Sequence, residues 1–189
     1  MATPGCGSPL SNVPFTAADF AAARSGPFAH VISAQGLPWT PTLNCDPDAR
    51  WINSEIIPGS CFGNPQSVLY ACEFNVTGLC PPTATVEVCW LVDDLLGDPS
   101  GPNPIGVYIG PISNTIALNP TFAGGNYATE TTASQTNVQL ALGSNWLYVY
   151  QRDAGCAVSG LNLLRRSRST RASSLPRSPP GVRSRRCSR

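Results

Sequence analysis

The chain has 189 residues, enough for one domain of about 160 residues with extensions. Only 12% are charged, while 17 Gly and 19 Pro interrupt the chain throughout, which excludes a helical bundle and fits short strands joined by turns. The formal charge of +1 hides two unlike segments: residues 1–163 carry three arginines against eleven acids, net −8, and residues 164–189 carry nine arginines and no acid, net +9.

Residues 1–14 are rich in turn formers and read as a loose segment. Met1 to Leu10 lack the basic start and apolar run of a secretory leader, which leaves cytosolic residence, a missing beginning or unconventional export. Residues 15–24 (FTAADFAAAR) predict one short helix, with Thr16 at its N-cap and Asp19 as capping-box partner. Residues 28–33 predict a strand holding His30, read as a structural histidine. Residues 36–48 form a proline-broken loop, and residues 50–53 a short extended piece.

Residues 66–76 alternate, with Val68, Tyr70, Cys72, Phe74 and Val76 on one face and Ala71, Glu73 and Asn75 on the other. After a turn at 77–82, residues 83–92 alternate again, with Val86, Val88, Trp90 and Val92 together. An acid-, Gly- and Pro-rich loop, 93–104, leads to short strands at 105–109 and 115–118. Residues 122–132 are polar and glycine-rich. Residues 138–142 and 145–151 predict a hairpin about Gly143-Ser144. There Leu147 and Val149 face one way, and Trp146, Tyr148 and Tyr150 the other. The aromatic face reads either as sheet packing or as a ligand platform. Residues 157–163 supply the last strand.

Eight or nine strands without strand–helix alternation predict an all-β fold, a jelly-roll β-sandwich over residues 15–163. Residues 164–189 (Arg, Ser and Pro) read as a disordered tail, or as the trace of a shifted reading frame in a GC-rich gene. Arg165-Arg166 and Arg185-Arg186 offer charge without interleaved aromatics, so no specific nucleic-acid partner is expected. No apolar run approaches the roughly 20 residues of a membrane helix.

Eight cysteines (6, 45, 61, 72, 80, 89, 156 and 187), none in a Cys-x-x-Cys pair, favour disulfides over free buried thiols and over zinc, and an extracellular or cell-surface location, with the cytoplasm as the alternative. Cys72 with Cys89, and Cys45 with Cys61, are the attractive pairings. Asn75-Val76-Thr77 is an N-glycosylation sequon. The densest acidic group is Asp93, Asp94 and Asp98, with Asn103 nearby. Hard cations take six to eight oxygens, so these three aspartates are the candidate metal ligands and calcium the candidate ion. No nucleophile–base set, nucleophile elbow or phosphate loop stands out, and the chain has no lysine. A non-enzyme is expected.

Six short motifs resemble the galactose-binding-like β-sandwich modules of secreted bacterial proteins. They are Arg50-Trp51-Ile52, Phe74-Asn75-Val76-Thr77-Gly78, Val92-Asp93-Asp94, Val107-Tyr108-Ile109-Gly110, Leu142-Gly143-Ser144-Asn145-Trp146-Leu147 and Ser159-Gly160-Leu161. The resemblance spans about residues 50–162 and departs at Gly110-Pro111, where that family has Asn-Gly. It implies a non-catalytic module that binds a glycan or a surface protein, often beside calcium. The alternative is a self-associating structural protein of an appendage or virion.

Overall fold

Period-two alternation decides which residues enter the core. In the computed structural model, which describes residues 9–34, 38–54, 67–78, 82–155 and 158–169, Val86, Val88, Trp90 and Val92 are fully buried. They meet Val107, Ile109, Leu147 and Val149 from a second layer. Each such side chain contributes about 1.5–3 kcal/mol by leaving water. The fold is an all-β sandwich with one short helix.

The elements are α1 Ala17–Ser25, β1 His30–Ile32, β2 Trp51–Asn53, β3 Val68–Val76, β4 Thr83–Asp93, β5 Leu95–Leu96 and β6 Val107–Gly110. A 3-10 turn, Ile112–Asn114, follows, then β7 Ile116–Ala117, β8 Thr131–Gln139, β9 Gly143–Arg152 and β10 Gly160–Ser169. One antiparallel sheet runs β1-β2-β10-β4-β8. The other runs β3-β9-β6-β7, with β5 also on β9.

Helix α1 forms where the capping residues predict it. The Asp19 carboxylate accepts the Thr16 backbone N–H at 2.8 Å and the Thr16 hydroxyl at 2.7 Å. The segment before it is tied down: Asn103 accepts from the Phe15 N–H at 2.8 Å and donates to the Val13 carbonyl at 2.9 Å. Strand β8 carries a bulge opposite Thr85, where Asn137 takes φ 58°, a conformation Asn tolerates.

The structure corrects four expectations. β8 and β9 do not form a hairpin. β8 pairs with β4 in one sheet and β9 with β3 and β6 in the other, so residues 140–142 cross between layers. The buried Asn145 side chain closes this corner. It accepts from the Ala141 N–H and donates to the Ala141 and Gly143 carbonyls, while Gly143 takes φ +84°. β3 and β4 likewise lie in different sheets, and Cys72 and Cys89 do not pair. Cys72 is free and exposed, and Cys89 is bonded to Cys45. That bond also displaces the expected Cys45–Cys61 pairing. Cys6, Cys61, Cys80, Cys156 and Cys187 lie outside the described residues. His30 is solvent-exposed rather than packed, because the three-residue β1 buries only Ile32.

β10 continues to Ser169, six residues past 163, because β4 is long enough to pair with it back to Ala84. The rest of the expected tail, 170–189, lies outside the described residues. No helix among the described residues is long and apolar enough to cross a membrane.

Candidate functional site

Each sheet has an outer face, and the two are covered differently. On β9, Tyr148 and Tyr150 point away from the sandwich core, as the alternation requires. With Tyr108 they pack under Phe20 of α1 and against Phe15. Phe15 meets Tyr150 edge-on at 5.0 Å, and Phe20 lies 4.7 Å from Tyr148. The Arg24 guanidinium lies 5.2 Å from the Trp146 ring. The aromatic row is therefore sheet packing under a helix. Burial raises the Tyr108 hydroxyl to a pKa of about 12.

The outer face of the other sheet is covered by the irregular loop 38–50. Trp39, Leu43 and Cys45 from this loop pack on Trp51, Leu91 and Leu164. The Trp39 and Trp51 ring centroids lie 4.2 Å apart, and both indoles come close to the β10 backbone at Gly160. A Cβ at Gly160 would stand 2.9 Å from the Trp39 ring, which accounts for glycine there. Having no regular partner, the loop is fixed by point contacts. The Thr40 N–H donates to the Tyr127 carbonyl and the Thr40 hydroxyl to the Ala128 carbonyl. Trp51 Nε1 donates to the Thr40 carbonyl at 2.9 Å. Glu130 accepts from the backbone N–H groups of Asn44 and Cys45, and the Cys45–Cys89 disulfide joins the loop to β4.

Between this loop and β1 lies a groove of about 440 Å³, lined by Val31, Ser33, Pro41, Thr42 and Arg50 among others. Val31 is 69% exposed, and Phe28, two residues before β1, is 96% exposed. The walls thus alternate apolar surface with hydroxyl and guanidinium groups.

The predicted metal ligands separate. Asp93 and Asp94 sit where β4 ends, and Asp153, just past β9, joins them. Asp93 Oδ2 accepts from Trp39 Nε1 at 3.1 Å, and Asp94 Oδ2 accepts from the Ala154 N–H at 2.7 Å. Asp153 Oδ1 accepts from the Gly155 N–H at 2.9 Å. Burial, then the hydrogen bond and charge of Asp94, raise the Asp93 pKa to about 7. The Trp39 bond opposes this and the Asp153 charge adds to it. Asp98 turns instead to Arg152 at 3.6 Å and to the Ser100 hydroxyl. Asn103 is occupied with the N-terminal segment, as described above.

Among the described residues, the group whose metal-ligating atoms all lie within 4.8 Å of one another is Cys45, Cys89 and Glu130. Sequence reasoning passed over Glu130 and Asp153, because each acquires its neighbours only through the fold. The Asp153-Ala154-Gly155 turn after an apolar strand was the one local hint of the second. Comparison with family models, curated proteins and solved structures finds no match.

Proposed function

We propose that this chain is a non-catalytic binding or adhesion module of an extracellular or cell-surface setting, and that its ligand is a glycan. The observation that carries the reading is the groove between β1 and loop 38–50. Sugars present apolar C–H faces beside rings of hydroxyls. Val31 and Pro41 suit the first, and Ser33, Thr42 and Arg50 suit the second. The Cys45–Cys89 disulfide is compatible with an oxidising compartment. The short motifs resembling galactose-binding-like jelly-roll modules support the same reading, and calcium stays the candidate ion at Asp93 and Asp94 alone, Asp98 being turned to Arg152.

A glycan array run with and without calcium tests this. A restricted set of glycans should bind, and Arg50→Ala with Thr42→Ala should remove binding without changing the fold. Binding that survives both substitutions would move the contact face elsewhere; an empty array would end the glycan reading.

One observation favours the structural alternative. β3 and β8 are nine-residue strands at the outer edges of their sheets among the described residues. Open edges of that length can pair with a second copy in an appendage or virion. Light scattering over a rising concentration series would show discrete oligomers if this reading holds and a constant monomer if it does not.

A further inference from the structure

We propose that reduction of the Cys45–Cys89 disulfide converts Cys45, Cys89 and Glu130 into a site for a thiophilic divalent cation, with zinc as the natural candidate. The inference does not depend on the glycan reading. Three separate parts of the fold converge here: loop 38–50 supplies Cys45, β4 supplies Cys89, and the residue before β8 supplies Glu130. Their ligand atoms already lie within 4.8 Å of one another. A tetrahedral zinc ion, with Zn–S near 2.3 Å and Zn–O near 2.0–2.2 Å, holds its donors roughly 3.5–3.8 Å apart. The Cα atoms of the two cysteines are 6.7 Å apart. A disulfide spans about 4.4–6.8 Å, so this spacing lets the freed sulfurs separate around an ion while loop 38–50 and β4 stay in place.

Glu130 is positioned before any ion arrives. Its carboxylate is held by the Asn44 and Cys45 N–H groups, and each carboxylate oxygen has more than one lone pair to offer. Cys89 is buried, whereas Cys45 and Glu130 are half-buried. The ion can therefore enter from the solvent side, where water supplies the fourth ligand.

The chemistry balances with a dithiol as reductant. The dithiol gives two electrons and two protons, the S–S bond breaks to two thiols, and the dithiol closes to its own disulfide. Binding then releases both thiol protons as the sulfurs coordinate as thiolates, and the ionised Glu130 adds its oxygen. Affinity should fall as pH drops, because protons compete for the sulfurs.

Cobalt titration of the full chain tests the proposal. The phosphine-reduced, metal-free protein should gain a thiolate-to-cobalt charge-transfer band and tetrahedral visible bands, removed by added zinc. The oxidised protein should gain neither at this site. Cys45→Ser should bind one cobalt fewer per chain than the reduced parent, which separates this site from the other six cysteines. Glu130→Gln, whose fold is verified in the oxidised form, should weaken that same site roughly tenfold or more. Equal cobalt binding by the reduced parent and Cys45→Ser, or an unchanged affinity in Glu130→Gln, would overturn the proposal.

Discussion

The two outer faces of the sandwich solve one problem in two ways. Both carry large apolar side chains that must leave water: Tyr108, Tyr148 and Tyr150 on one sheet, and Trp51 and Leu91 on the other. On the first, α1 hydrogen-bonds part of its own backbone, so packing of Phe20 and Phe15, a capping pair and the Asn103 bonds just before it seat it. On the second, loop 38–50 has no internal ladder. Its backbone is fixed one group at a time by Thr40, Glu130 and a covalent bond. A regular cover is held by area, whereas an irregular one needs specific ties. The irregular cover is also the one that leaves a groove, so the candidate site and the disulfide lie on the same face.

Substitutions on each side sharpen this contrast. Phe20→Ala empties the centre of the helix-side cluster and should cost about 3–5 kcal/mol in urea unfolding. Proteolysis should then begin near α1 and leave loop 38–50 protected. Replacing Cys45 and Cys89 together by Ala should cost about 2–5 kcal/mol through the lost cross-link. Here the loop should open first while α1 stays docked.

The carboxylates under Trp39 give a third test, through pH. The folded Asp93 pKa of about 7 lies above its unfolded value of about 3.9. Between those values the folded chain keeps a proton that the unfolded chain gives up. Stability from this group is therefore full below about pH 4, falls as pH rises to about 7, and is flat above. Asp93→Asn should remove that limb and raise stability at pH 8 by on the order of 2–4 kcal/mol, read from urea midpoints across pH. The smallest effect is expected from Thr16→Ala, about 1 kcal/mol, with loss of helical signal confined to α1.

Much of the sandwich was legible because side chains alternate. Val86 to Val92 in β4 and Tyr70 to Val76 in β3 show their inner faces in one dimension. Thr16 and Asp19 mark α1 just as locally. Which sheet a strand joins is not local. Gly143-Ser144 carries the turn chemistry of a hairpin, yet Asn145 uses it to turn a corner between layers. The cysteine pairing is hidden for the same reason, since Cys72 and Cys89 lie on consecutive strands that join opposite sheets. The candidate site was the least legible part. The groove joins β1 to Arg50, and Glu130 reaches Cys45 across 85 residues of chain. No spacing rule connects positions that only the finished fold brings together.

Hydrogen exchange, followed by mass spectrometry on the parent and on the Cys45→Ala/Cys89→Ala variant, tests most directly whether the two covers are held by different means. Exchange should speed up in residues 38–50 and around Glu130, while α1 and the β9 amides keep their protection. Equal loosening of both faces, or no change in the loop, would contradict the account.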